Sequence, residues 1–144
     1  KTRSVLMMIG SIMHSDNHFK IPYAGGCKLG ARTVTPHLYA LEAFGVSIEA
    51  REGHYNVDVK AKEAREIVLY ESSDTATENA ILAAAGQPKE TVIKFASANY
   101  MVQDLCGFLV KLGVKIEGIG TSTLRIRGMK KIKRKNLKIC LMKK

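Results

Sequence analysis

Two stretches of the chain, ALEAFGVSIEAREGHYNVDV at 40–59 and FLVKLGVKIEGIGTSTLRI at 108–126, set Gly45, Val46, Ile48 and Glu49 on Gly113, Val114, Ile116 and Glu117, an offset of 68 residues. A repeat of that period constrains the fold strongly, because each copy is one supersecondary unit that must bury its apolar face against a neighbour. Both copies read as a helix stopped at a glycine, then two alternating strands joined by a tight turn. Upstream in the second copy, EIVLY (66–70) reads as a strand, DTATENAILAAAG (74–86) as a helix, TVIKF (91–95) as a strand and YMVQDLCGFLVKLG (100–113) as a helix. Ser73 or Asp74 can cap the helix at 74–86, Thr75 with Glu78 spells a Thr-x-x-Glu capping box, and Gly86 with Pro88 stops it. The first copy joins the same cycle later. It opens on a helix with Val5, Met8, Ile9, Ile12 and Met13 at helical spacing, followed by a strand near FKIPY (19–23). The unit is therefore β-α-β-α-β-β with the first strand of copy one missing, and the chain looks like part of something longer.

With 144 residues, 46% of them hydrophobic, the chain can bury one core. No apolar run approaches the roughly 20 residues that cross a bilayer, and the opening KTRSVLMMIGSIMHSD is no secretory signal, so a cytoplasmic location is expected. Cys27, Cys106 and Cys140 are odd in number and widely spaced, which reads as reduced thiols rather than a disulfide framework or a metal knuckle. The formal charge of +10 is concentrated: GMKKIKRKNLKICLMKK (128–144) carries 8 Lys and Arg and no acid, leaving +2 for the rest. A basic tail can bind nucleic acid or an anionic surface, but this one lacks the interleaved aromatics on which bases stack. A solvated terminus is the favoured reading.

The chemistry concentrates in IPYAGGCKLGARTVTPHL (21–38). A thiol with an ordinary pKa of roughly 8.5 is mostly protonated at neutral pH, so Cys27 can act as a general acid or, once deprotonated, as a nucleophile. Gly25, Gly26 and Gly30 allow a turning, moving loop, and Lys28 and Arg32 supply positive charge for an anionic substrate. The competing reading is a small buried residue at a strand–helix junction. Cys106, among Val102, Leu105 and Leu109, reads as core, and Cys140 carries no pattern. His14 and His18 stand four apart, a metal-binding spacing on a helix, but Ser15, Asp16 and Asn17 between them are turn formers and no third ligand follows. ESSDTATEN (71–79) puts Ser72, Ser73 and unpaired backbone amides at a helix N-terminus, where an anion is favoured, though Asp74 opposes one placed over it.

PYAGGCKLGARTVTPHLYALEAFG resembles the active-site loop and following helix of the UDP-N-acetylglucosamine 1-carboxyvinyltransferases, whose usual form is P-G-G-C-x-I-G-x-R-P-V-D-x-H-L. The resemblance continues through TATENAILAAAG, VQDLCGFLVKLGVKIEGIG and LRIRG, and so covers roughly residues 1–129. It implies an α/β (α+β) fold of the EPSP synthase-like, inverse α/β barrel type, built from βαββαβ units, of which about two are present. Residues 1–129 would form a partial enolpyruvyl transferase domain, in units of approximately 1–60 and 61–129, ahead of a basic tail at 130–144.

The same resemblance implies transfer of the enolpyruvyl group of phosphoenolpyruvate to the 3′-hydroxyl of UDP-N-acetylglucosamine, a step of peptidoglycan synthesis, with no cofactor or metal. Cys27 matches the family's proton donor to phosphoenolpyruvate, which also forms a covalent adduct with it and is alkylated by fosfomycin. Arg3 and Arg32 match substrate-contacting arginines. Thr33, Val34, Thr35 and Pro36, with Glu71, Ser72, Ser73 and Asp74, match segments lining the nucleotide. The sequence departs from the family in RTVTPH, where Thr33, Thr35 and Pro36 replace residues that shape the uridine pocket, and in SANYM (97–101), where R-E-P-E is usual. It has no early Lys-Asn motif and no second domain, so the chain alone is expected to be inactive or nearly so. Rival readings are a nucleotide-sugar or phosphate-binding module without chemistry, and, less favoured, a nucleic-acid binder using the tail. Incomplete units are also expected to expose apolar faces that promote self-association.

Overall fold

A computed structural model describes residues 3–23, 34–60 and 63–129. A 3₁₀ helix, Arg3–Met8, runs into a single α-turn, α1 (Ile9–Ile12). This corrects the inward face expected from α-helical spacing. Three residues per turn stack Leu6 beneath Ile9 and swing Met8 outward; Leu6 is 1% exposed and Met8 53%.

The first sheet contains β1 (His18–Pro22), β2 (Val46–Arg51) and β3 (His54–Val59), with α2 (Thr35–Glu42) between β1 and β2 in sequence. Its order is β1-β3-β2, all antiparallel. The second contains β4 (Glu66–Val68), β5 (Glu90–Lys94), β6 (Lys115–Glu117) and β7 (Thr123–Arg127), with α3 (Asp74–Ala85) before β5 and α4 (Tyr100–Leu112) after it. Its order is β4-β5-β7-β6, and only the β4–β5 pair is parallel. In both sheets a strand is followed by a helix and a hairpin, and the hairpin's second strand inserts beside the first strand. The residue between helix and hairpin is Gly45 or Gly113, at φ +80° and +103°. A Cβ is strained at such angles, which accounts for glycine at both.

Alternation along the strands gives each sheet one apolar face. Ile21, Val46, Val57 and Val59 of the first sheet and Ile67, Ile93, Leu124 and Ile126 of the second belong to one buried cluster with residues of all four helices. The opposite faces carry exposed ion pairs, Glu49–Arg51 on the first sheet and Glu66–Lys94, Glu90–Arg125 and Glu90–Arg127 on the second. Such pairs contribute little to stability, but they mark the outer faces as solvated.

α3 lies at the centre, buried at Ala76 through Ile81 and again at Ala83 and Ala84. A helix buried nearly all round must accept neighbours on several sides, and its alanines let them approach closely. Gly10 of α1 comes close: a Cβ there would lie 2.3 Å from the Asn79 carbonyl oxygen. At the other end of α3 the chain leaving β7 crosses Ala85, whose carbonyl accepts the Met129 N–H at 2.9 Å.

Candidate active site

The residues expected to face a nucleotide fall on the first turns of α2 and α3. Ser73 is the N-cap of α3, in extended backbone. Its carbonyl accepts the Thr77 N–H at 3.0 Å and the Thr77 hydroxyl at 2.7 Å. Thr77 Oγ1 in turn accepts the Ser97 N–H at 3.0 Å. Asp74 accepts the Ser97 hydroxyl on one carboxylate oxygen and the Asn99 amide, at 2.8 Å, on the other. The loop from β5 to α4 is thereby tied to the start of α3, and the positive end of the helix already faces a carboxylate.

The expected capping box does not form. The N-cap side chain makes no capping bond, and the Thr75 hydroxyl instead meets Nε2 of His37 in α2 at 3.2 Å. Glu78 is buried, and its carboxyl is pushed above the ordinary carboxylate range by desolvation first and by the negative charge of Asp74 second.

In α2, Val34 is the N-cap and Pro36 stands in the first turn, where its missing N–H costs no helical bond. His37 is 8% exposed, and its ring reaches α3 at two points. Besides Thr75, it meets the Asn79 side-chain amide at Nδ1, over 3.2 Å. The orientation of that amide follows from backbone partners: Oδ1 accepts the Gly10 N–H at 2.8 Å and Nδ2 donates to the Leu6 carbonyl at 3.0 Å. Outside, the Tyr39 ring of α2 lies 6.1 Å from Tyr70, which precedes the 71–74 segment.

The structure thus brings Val34, Thr35 and Pro36 onto a helix whose first turn is joined to that of α3, with Ser72 and Glu71 exposed just ahead of it. Arg3 opens the 3₁₀ helix, with its side chain outside the described atoms. Cys27, Arg32 and Thr33 lie outside the described residues, as does Cys140; Thr33 directly precedes Val34. His14 and His18 do not converge on one helix face. His18 pairs with Asp58 across β1 and β3 at 2.5 Å, while the His14 ring covers Gly86. Cys106 is fully buried, and burial pushes its thiol up to about 11. Among the described residues no helix is long and apolar enough to cross a membrane.

His37 and Asn79 are the residues that reasoning from sequence missed. Asn79 had a signal, an amide placed mid-helix in the run TATENAILAAA, where a buried polar group must find partners.

The family model for EPSP synthase (3-phosphoshikimate 1-carboxyvinyltransferase) matches residues 4–140. The chain belongs to the EPSP synthase family. The match takes in both sheets and extends into the basic segment after Met129. Among curated relatives, the UDP-N-acetylglucosamine 1-carboxyvinyltransferase 1 of Caldanaerobacter subterraneus subsp. tengcongensis is 36% identical over 133 residues, 92% of this chain and 32% of that protein. The UDP-N-acetylglucosamine 1-carboxyvinyltransferase of Shewanella baltica is 37% identical over 139 residues, 95% of this chain and 33% of that protein. This EPSP synthase family chain therefore spans about a third of the length of these relatives. In fold it is similar to the enolpyruvyl transferase NikO of Streptomyces tendae, with a TM-score of 0.68 at 20% identity over 85% of this chain and 29% of that one. It is also similar to EPSP synthase of Acinetobacter baumannii, with a TM-score of 0.60 at 13% identity over 88% of this chain and 28% of that one. The expected α/β fold class agrees with these likenesses.

Proposed function

We propose that this chain is the loop-bearing part of a UDP-N-acetylglucosamine 1-carboxyvinyltransferase, acting in the cytoplasm in peptidoglycan precursor synthesis. The observation that carries the proposal is the stretch GGCKLGAR at 25–32, just ahead of α2 in sequence, in a chain whose relatives of that name are 36–37% identical over more than nine-tenths of it. In this reading residues 1–129 are a partial transferase domain of two units, and Cys27 protonates the methylene carbon of phosphoenolpyruvate. The cation left at the neighbouring carbon is captured by the 3′-hydroxyl of the sugar, which loses its proton. Loss of a proton from the new methyl group and of inorganic phosphate then restores the double bond and leaves the enolpyruvyl ether. Arg32 and Arg3 neutralise the anionic substrates, and residues 33–36 and 71–74 line the nucleotide.

General acid–base catalysis needs each proton carrier within reach of its atom, and a lid needs a surface to close upon. With a third of its relatives' length, the isolated chain is expected to turn over slowly or not at all. A second reading is nucleotide-sugar or phosphate binding without chemistry; Glu71 and Asp74, whose charge suits a diphosphate poorly, count against it at the first turn of α3. Apolar residues left exposed on α4, Met101 and Phe108, support self-association.

The test is fosfomycin treatment with peptide-mapped mass spectrometry, with and without UDP-N-acetylglucosamine. Labelling of Cys27 ahead of Cys106 and Cys140, enhanced by the nucleotide sugar, is the expected result. Indiscriminate or absent labelling removes the catalytic reading for this chain.

A further inference from the structure

We infer that His37 is a positioning residue: its ring, held in one tautomer by Asn79, sets the first turn of α2 against the first turn of α3. Asn79 is fixed in orientation by two backbone partners. Its Oδ1 takes a backbone N–H from Gly10 and its Nδ2 gives a proton to the Leu6 carbonyl, so the amide cannot be turned round without setting like groups against each other. The nitrogen facing His37 is therefore the donor, and Nδ1 of the ring must be bare to accept from it. A neutral imidazole with bare Nδ1 carries its proton on Nε2, which then donates to the Thr75 hydroxyl. One ring thus receives from the middle of α3 and gives to its first turn.

The consequence concerns what each turn carries. α2 begins at the end of the segment that holds Cys27 and Arg32, and the first turn of α3 follows Glu71–Asp74. What is positioned rests on the function proposed above. The coupling of the two turns through a single ring does not. Misplacing a reacting group by about 1 Å can cost on the order of a hundredfold in rate, so a rigid link between these turns matters to any chemistry across them.

The experiment uses the full chain as wild type, His37→Leu and His37→Gln. Leucine keeps bulk only, whereas glutamine can still accept at one end and donate at the other. Long-range ¹⁵N spectra of the wild-type ring near neutral pH should show a bare Nδ1 and a protonated Nε2; a proton on Nδ1, or a mixture of tautomers, overturns the assignment. Amide exchange should speed up in the first turns of α2 and α3 together in His37→Leu, and return toward wild type in His37→Gln. Unchanged exchange, or failure of glutamine to restore it, also overturns it. If UDP-N-acetylglucosamine enhances fosfomycin labelling of Cys27 in the wild type, His37→Leu should lose that enhancement by about tenfold or more. If the nucleotide has no effect on the wild type, the proposed function fails while the ring and exchange readouts still decide the role of His37.

Discussion

The backbone N–H of Gly10 donates to Oδ1 of Asn79 across 2.8 Å, joining α1 to the middle of α3 at a point where both residues are buried. The bond is possible because residue 10 has no side chain. A methyl group there would meet the Asn79 carbonyl oxygen at 2.3 Å and the Ala83 nitrogen at 3.1 Å. Gly10→Ala gains up to roughly 1 kcal/mol of helix propensity, but overpacking against backbone costs about 1–3 kcal/mol or more. Net destabilisation is expected in urea unfolding; a stabilised variant would show that the two segments part easily.

Asn79→Ala leaves the Gly10 N–H and the Leu6 carbonyl without the Asn79 amide and takes one bond from the His37 ring. With each buried orphan worth about 1–3 kcal/mol, a loss of at least about 2 kcal/mol is expected by urea unfolding. A loss below about 1 kcal/mol would mean that water replaces the amide.

Glu78 tests the electrostatics of α3. Its carboxyl is raised by desolvation and by Asp74, so the folded state holds the proton more tightly than the unfolded chain does. The stability this group contributes is present below the unfolded pKa and is lost as pH rises through the raised folded value. Glu78→Gln should therefore raise the Tm at neutral pH by roughly 2–4 °C, and the gap should close below about pH 4. A gap constant with pH would place the effect in packing rather than charge.

Asp74 separates the two readings of the first turn of α3. Asp74→Asn removes a charge from the helix N-terminus and should cost about 0.3–1 kcal/mol of stability. If a diphosphate nucleotide approaches this turn, calorimetry should show UDP-N-acetylglucosamine binding about threefold to tenfold more tightly. Equal or weaker binding would mean that the nucleotide lies elsewhere.

Cys106, buried among Val102 and Leu109 with its thiol pushed up to about 11, should resist iodoacetamide at pH 8 until the chain unfolds. Labelling of Cys106 in the native chain would disprove its burial.

The strands and helices were largely legible, because alternation and glycine stops are local properties: β5 was expected at 91–95 and forms at Glu90–Lys94, and the helix expected at 74–86 forms at Asp74–Ala85 with Gly86 as its C-cap. What sequence could not show was the use of side chains between elements far apart along the chain. Thr75 and Glu78 have the spacing of a capping box, yet Thr75 is drawn to a ring 38 positions away and Glu78 is enclosed by packing. Met8 has the spacing of an inward residue, and a three-residue turn reverses it. Of the expected site, Val34–Pro36 and Glu71–Asp74 lie at or just ahead of the first turns of α2 and α3, which His37 and Thr75 join, whereas Cys27, Arg32 and Thr33 lie outside the described residues.

The bond from Met129 to the Ala85 carbonyl fixes where the chain leaves its second sheet. α3 is 12 residues long, so this exit stands about 18 Å from Ser73, at the opposite pole of the helix. A fluorophore, affinity handle or sensor surface coupled after residue 129 would be anchored at that pole, leaving the first turns of α2 and α3 open to titrant.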